Sequence, residues 1–342
     1  MKMKPIFNNN SFINKGNCFP KVRLRRLRKN SAIRELLQET RISSNDLIFP
    51  LFVEEGIKNS KNILSMQDIQ RIPLSKVVDV VSDILNLGIK GIVIFGIPIK
   101  KDNNATSAYS EKGIVQKSIK TIKKNFGDKI VIISDVCMCQ YTSSGHCGIV
   151  KGNIVDNDSS INILAKIAES HAACGADIVA PSAMMDGQVF AIRERLDDAG
   201  FYDTSIMGYS AKMASPMYSP FRDLADSSPL FGDRKTYQMP FTNSLEALRE
   251  IELDINEGAD MIMVKPALPY LDLICKAREM FKLPLCAYSV SGEYALIKAA
   301  AEKGWINESQ VMLEFLSSIK RAGADIIITY YAREMAKLLI EK

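Results

Sequence analysis

Gly258-Ala259-Asp260-Met261-Ile262-Met263-Val264-Lys265-Pro266-Ala267 is the stretch on which the fold turns. A glycine suited to a helix C-cap closes the helical pattern of residues 245–257, and a short apolar strand follows at once. Gly175-Ala176-Asp177 and Gly323-Ala324-Asp325 repeat that punctuation behind helical patterns at 161–174 and 308–322. Each marks the helix-to-strand junction of a βα repeat. Working outward, eight candidate strands appear in order, at 47–53, 91–95, 130–135, 177–180, 205–209, 261–264, 285–289 and 326–329. All are rich in Ile and Val and nearly continuously apolar, as strands covered on both faces should be. Eight strand-helix units in about 300 residues imply a (β/α)8 barrel, an α/β fold enlarged by insertions. A doubly wound sheet is the alternative, but no Gly-x-Gly-x-x-Gly follows any strand and no Walker-type phosphate loop occurs.

Lys265 closes one strand and Lys212 follows another, in Gly208-Tyr209-Ser210-Ala211-Lys212. A lysine there must take an ammonium out of water, which costs several kcal/mol unless it deprotonates or pairs. A neutral amine so held is a nucleophile for carbonyl substrates and forms a Schiff base. Two such lysines suggest two carbonyl substrates, or one ammonium lowering the pKa of the other amine. Either lysine alone is also compatible with snorkelling to the barrel rim. The catalytic face of such barrels lies at the C-terminal ends of the strands. Asp135, Ser182, Asp186, Lys212, Lys265, Ser291 and Tyr330 all collect at those ends, which weakens the snorkelling reading.

Behind the third strand runs Asp135-Val136-Cys137-Met138-Cys139-Gln140-Tyr141-Thr142-Ser143-Ser144-Gly145-His146-Cys147-Gly148. Thiolates favour Zn²⁺, and three protein ligands leave a fourth position open, the catalytic pattern. Cys-x-Cys-x7-Cys is not a zinc-finger spacing. His146 is an alternative ligand, though its neighbour Cys147 is the softer donor. Clustered cysteines can also be buried small hydrophobes, but a polar, glycine-containing loop disfavours that. The segment after Lys212 carries Pro220-Phe221-Arg222-Asp223 and Gly232-Asp233-Arg234-Lys235. It is too long for a simple βα turn and suits a lid whose arginines clamp a carboxylate.

With 342 residues, 47% hydrophobic and 24% charged, and a net charge of +5, the composition is that of an ordinary globular protein. The longest apolar runs are too short to span a bilayer. Seven cysteines without a secretory apolar region argue for a reducing compartment, the cytoplasm, and against a disulfide framework. Residues 1–34 contain no acidic residue and leave an organelle address open. Two histidines nearly exclude a multi-histidine metal site or relay. The basic stripe Arg23-Leu24-Arg25-Arg26-Leu27-Arg28-Lys29 lacks aromatic interleaving, so nucleic-acid binding is a weak rival.

Taken together, the chain resembles the porphobilinogen synthase (5-aminolevulinic acid dehydratase) family over nearly its whole length. Carrying the resemblance are Asp46-Leu47-Ile48-Phe49-Pro50-Leu51-Phe52-Val53, Ala180-Pro181-Ser182-Ala183-Met184-Met185-Asp186-Gly187 and Tyr209-Ser210-Ala211-Lys212. Met263-Val264-Lys265-Pro266, Val290-Ser291-Gly292-Glu293-Tyr294 and the three-cysteine loop complete it. The resemblance implies condensation of two 5-aminolevulinate molecules to porphobilinogen, with loss of two waters, for tetrapyrrole (heme) biosynthesis. On that basis Lys265 takes the propionate-side substrate as a Schiff base and Lys212 the acetate-side one. Zinc sits on Cys137, Cys139 and Cys147, as in the zinc-dependent branch. Arg222 and Arg234 match the acetate-side carboxylate clamp, Ser291 and Tyr330 the propionate-side one. Asp135, Ser182 and Gln238 match polar residues lining the site, and Glu250 aligns with a ligand of an allosteric Mg²⁺. The family's usual assembly is a homo-octamer whose N-terminal arm, here residues 1–40, wraps a neighbour's barrel, leaving 41–342 as the catalytic barrel. Two departures stand out. Ser144 replaces a frequent histidine, and Pro240-Phe241-Thr242-Asn243 replaces an Asp-Pro-Ala-Asn-like turn ahead of Glu250. A class I aldolase, with one imine lysine and no metal, is the alternative enzyme, and the cysteine loop argues against it.

Overall fold

The computed structural model describes residues 21–341. Two units separate at Arg41/Ile42. Within the first lie a 3-10 turn, Leu24–Arg28, and a helix, Ser31–Leu36, that bury none of their residues. Asn30 caps that helix by accepting a hydrogen bond from Ile33 N at 3.0 Å. The second unit contains a closed parallel barrel of eight strands. They are β1 (Leu47–Glu54), β2 (Gly91–Ile97), β3 (Val131–Val136), β4 (Ile178–Pro181), β5 (Ser205–Lys212), β6 (Met261–Lys265), β7 (Leu285–Ser289) and β8 (Ile326–Thr329). Closure comes from β8 pairing with β1, with Leu47 opposite Ile327. Helices lie between the strands, so each strand is covered on both faces; β2 is buried at every position. This is the (β/α)8 barrel expected from the apolar runs.

The repeated Gly-Ala-Asp punctuation has a structural cause. Gly175, Gly258 and Gly323 adopt φ of +98°, +104° and +123°, where a Cβ is strained. The aspartate that follows pins the neighbouring strand. Asp177 Oδ2 accepts from Ile132 N at 2.7 Å, Asp260 Oδ2 from Ile206 N at 2.7 Å and Asp325 Oδ2 from Leu285 N at 2.8 Å. Each satisfies the first or second amide of a barrel strand, so these junctions fix the floor and leave the opposite rim for chemistry.

Two hairpins interrupt the repeat. Lys61–Ile63 and Met66–Ile72 follow β1, and the latter pairs parallel to it, with Phe52 opposite Arg71. Ile149–Lys151 and Ile154–Asp156 follow the cysteine loop. Neither hairpin was read from the sequence, although Gly152-Asn153 carries a turn signal for the second. β5 also runs further than its apolar pattern, through Lys212. Among the described residues no helix is long and apolar enough to cross a membrane.

Candidate active site

β5 and β6 place the two lysines side by side. Gly208 pairs with Ile262 and Ala211 with Val264, so β5 spends one more residue than β6 over the same span. That bulge re-phases β5. Tyr209 and Lys212, which an unbroken pleat would send to opposite faces, thereby both reach the interior. Lys212 then stands in register with Lys265. Their Nζ atoms lie 5.7 Å and 5.1 Å from the same Tyr209 ring.

Lys265 is 5% exposed and caged by aromatic rings, with Tyr288 at 4.1 Å, Phe221 at 5.1 Å and Tyr218 at 5.3 Å from its Nζ. Burial, reinforced by the Lys212 ammonium, lowers its pKa to about 7, against partial compensation from Asp135. Lys212, equally buried, donates to the Ser182 carbonyl at the end of β4. Asp135 ends β3 between these groups. Burial pushes its carboxyl up, while the Ser182 hydroxyl and the two lysines pull the other way.

Cys137, Cys139 and Cys147 are buried beside the lysines, their sulfurs all within 4.8 Å of one another. Tetrahedral zinc with Zn–S near 2.3 Å needs sulfurs roughly 3.8 Å apart, so the set fits a thiophilic ion. The Cys137 and Cys139 thiols hydrogen-bond to Cys147, holding it well below its ordinary pKa, while Cys137 is pushed well up and Cys139 up to about 11. One thiolate shared by two thiols is the electrostatic state a cation would relieve. His146 is committed elsewhere. Its Nε2 donates to Phe231 O at 3.0 Å, and its Nδ1 accepts from the Tyr237 hydroxyl at 3.0 Å.

The lid segment lies over this cluster. Arg234 is buried, donates to Gly145 O at 2.9 Å and to Ser227 O, and leaves Nε without a protein partner. Burial works against its charge, but the neighbouring Cys147, and after it Cys139, hold its pKa above the usual value. Arg222 is half-buried with Nε likewise unpartnered, its pKa lowered by burial and by Arg234. Two neighbouring guanidinium groups with unpartnered Nε atoms are donors of the kind that bind an anion.

The remaining expected residues distribute as follows. Asp135, Cys139, Ser182, Lys212, Arg234 and Lys265 line one cavity with about 20 Å³ free, room for a water rather than a substrate. The Ser291 hydroxyl donates to Met217 O at 3.1 Å and accepts from Phe221 N at 3.0 Å. The Tyr330 hydroxyl lies 3.4 Å from that of Tyr288, behind the Lys265 cage. Gln238 is buried with both amide atoms unpartnered and lines a different cavity, of about 450 Å³. Glu250 lines that second cavity with Asp186, Glu246, Asp254 and Glu257. Burial and then Asp186 raise its pKa. The residues missed from sequence are the aromatic cage, Tyr209, Tyr218, Phe221 and Tyr288. Tyr209 and Tyr288 in apolar strands read as core, and Tyr218 and Phe221 in the lid segment were passed over for its arginines. Nothing in the pattern says which aromatics face a lysine.

A family model described as delta-aminolevulinic acid dehydratase matches residues 21–338. The delta-aminolevulinic acid dehydratase of Archaeoglobus fulgidus is 56% identical over 321 residues, covering 94% of this chain and 99% of the relative. That of Bacillus subtilis is 51% identical over 319 residues, covering 93% and 98%. The crystal structure of delta-aminolevulinic acid dehydratase (porphobilinogen synthase) from Toxoplasma gondii, in complex with the reaction product porphobilinogen, superposes with a TM-score of 0.91. It is 47% identical, covering 94% of this chain and 92% of that one.

Proposed function

The chain belongs to the delta-aminolevulinic acid dehydratase family, and from that premise we infer that it condenses two molecules of 5-aminolevulinate to porphobilinogen. Two waters leave. The observation that carries this reading is the register pairing of Lys212 with Lys265 at the catalytic rim, both buried and facing one ring. One imine-forming reaction needs one amine; joining two keto acids uses two.

Lys265, the amine held near neutrality, adds to the ketone of the propionate-side substrate, and the carbonyl oxygen leaves as water. Lys212 holds the acetate-side substrate in the same way. One imine loses a proton from its adjacent carbon and becomes the enamine nucleophile, while the other remains the electrophile. Forming the C–C bond and then the C–N bond through a substrate amino group expels both lysines as free amines. Asp135, with its pKa raised and facing both amines, is suited to carry a proton between them. Ser182 orients Asp135 and, through its carbonyl, Lys212. Arg222 and Arg234 bind the acetate-side carboxylate. Ser291 and Tyr330 bind the propionate-side one, which must displace the bonds Ser291 makes to Met217 and Phe221. The small closed cavity means that the lid opens to admit substrate. Cys137, Cys139 and Cys147 would hold zinc, which would supply Lewis-acid polarisation beside the acetate-side substrate. Gln238 does not line the lysine cavity; only its chain neighbour is tied to Lys212, Met239 N donating to Lys212 O.

The acidic cavity is read as an allosteric Mg²⁺ site on Glu250, with Asp186, Glu246 and Glu257 near. Residues 1–40 act as an arm in a cytoplasmic homo-octamer, with 41–342 as the catalytic barrel. The exposed Leu24, Leu27 and Leu36 support a partner for that arm.

The test is formation of the pyrrole from 5-aminolevulinate by the purified protein before chelation, after it, and with zinc restored. Pyrrole formed, lost and recovered supports the reaction and its metal. No pyrrole under any condition rejects the reading. Magnesium stimulation that survives Glu250→Gln would remove Glu250 from its role.

A further inference from the structure

The helix Ser219–Ala225 carries Phe221, which packs on Lys265, and Arg222. The last carbonyls of a helix have no partner within it and ordinarily face water. Here they are gripped. Arg71, on the hairpin after β1, donates through Nε to Leu224 O at 2.8 Å and through a terminal nitrogen to Asp223 O. Its other terminal nitrogen is held by Glu54, at the end of β1, at 3.1 Å. Lys101, beyond β2, donates to both the carbonyl and the carboxylate of Asp226, the latter at 2.6 Å. Asp226 ends the helix in the left-handed region, at φ +49°.

Both clamp arginines hang from this terminus. Ser227 N donates to Arg222 O at 3.0 Å, and Ser227 O accepts from the Arg234 guanidinium. The backbone that places Arg222 and the carbonyl that places Arg234 thus sit within one turn of the atoms held by Arg71 and Lys101. A full cation on each of two barrel-borne segments meets the negative end of a helix. Glu54 holds one end of the Arg71 guanidinium, and that planar group is suited to two carbonyls at once.

We propose that Arg71 and Lys101 are positioning residues that latch the lid helix onto the barrel and so set the spacing of Arg222 and Arg234 around the substrate carboxylate. The inference rests on the clamp reading of those arginines. Neither latch residue lines the lysine cavity, so they act only through the lid helix, chiefly on substrate capture by the two arginines and secondarily on the packing of Phe221 against Lys265.

The experiment compares Arg71→Met, Lys101→Met, the double variant, Arg71→Lys and Arg222→Met in the full-length protein. It reads kcat, KM for 5-aminolevulinate and hydrogen exchange of residues 219–227. The double variant is expected to raise KM by about tenfold or more, with kcat changed far less and exchange at 219–227 accelerated. Arg71→Lys should recover part of the loss, because one donor remains. Lys101 is less buried than Arg71, so Lys101→Met tests the latch even if Arg71→Met folds poorly. KM within about twofold of the parent in the folded latch variants, with exchange unchanged, overturns the latch. If Arg222→Met raises KM while they do not, the latch alone fails. If Arg222→Met also leaves KM unchanged, the clamp reading fails and takes the latch with it.

Discussion

Lys212 and Lys265 are register partners on adjacent parallel strands, brought to the same side of the sheet by a one-residue bulge in β5. Each ammonium therefore disfavours the other's charge, and burial strengthens the effect. Lys265 yields, at about 7. Borohydride trapping of 5-aminolevulinate on Lys265 should rise with pH through about 7. In Lys212→Met the repelling charge is gone, so the midpoint should move up by roughly one unit. An unmoved midpoint would mean that the two amines do not sense each other.

The same burial opposes folding. Lys265 has a folded-state pKa of about 7 against 10.5 for the free side chain, so the unfolded chain binds the proton more readily. Its contribution to stability is intact above 10.5 and is lost as pH falls toward 7. Lys265→Met should therefore gain thermal stability over the parent as pH drops through that window, while losing turnover. A stability difference independent of pH contradicts this.

Replacing Cys137, Cys139 and Cys147 together by serine should abolish tight zinc binding and reduce turnover to background. Metal content by mass spectrometry and the pyrrole assay read the two effects separately. A triple variant with full activity makes the loop structural.

Arg234→Lys retains charge and loses the planar fork, so the change should fall on carboxylate recognition. A lost charge-assisted bond of about 2 kcal/mol corresponds to roughly 30-fold in KM. The check is a Michaelis curve alongside a melting temperature, since Arg234 also bonds Gly145 and Ser227. Unchanged KM at normal stability removes Arg234 from the clamp.

The barrel was legible because its strands are buried on both faces. Ile and Val at 91–97 leave a continuous apolar run, and the glycines at 175, 258 and 323 mark the junctions by their positive φ. Lysines ending such runs stood out by charge alone. The bulge at Tyr209-Ser210 did not, since a register slip is a property of two strands and leaves no mark on one. Tyr288 over Lys265 was illegible for the same reason: its ring reads as core until the barrel closes. His146 stood in the sequence as the weaker alternative to Cys147, and the lid's Phe231 and Tyr237 show where its ring is bound. Arg71 contacts the lid across more than a hundred and fifty residues of chain, beyond the reach of spacing arguments.

The most direct test of the two-amine account is peptide mapping after borohydride reduction during turnover of 5-aminolevulinate. The account expects reduced substrate adducts on Lys265 and on Lys212, and no turnover in Lys265→Ala although that variant folds. Adducts on some other lysine, or appreciable turnover by Lys265→Ala, would contradict it.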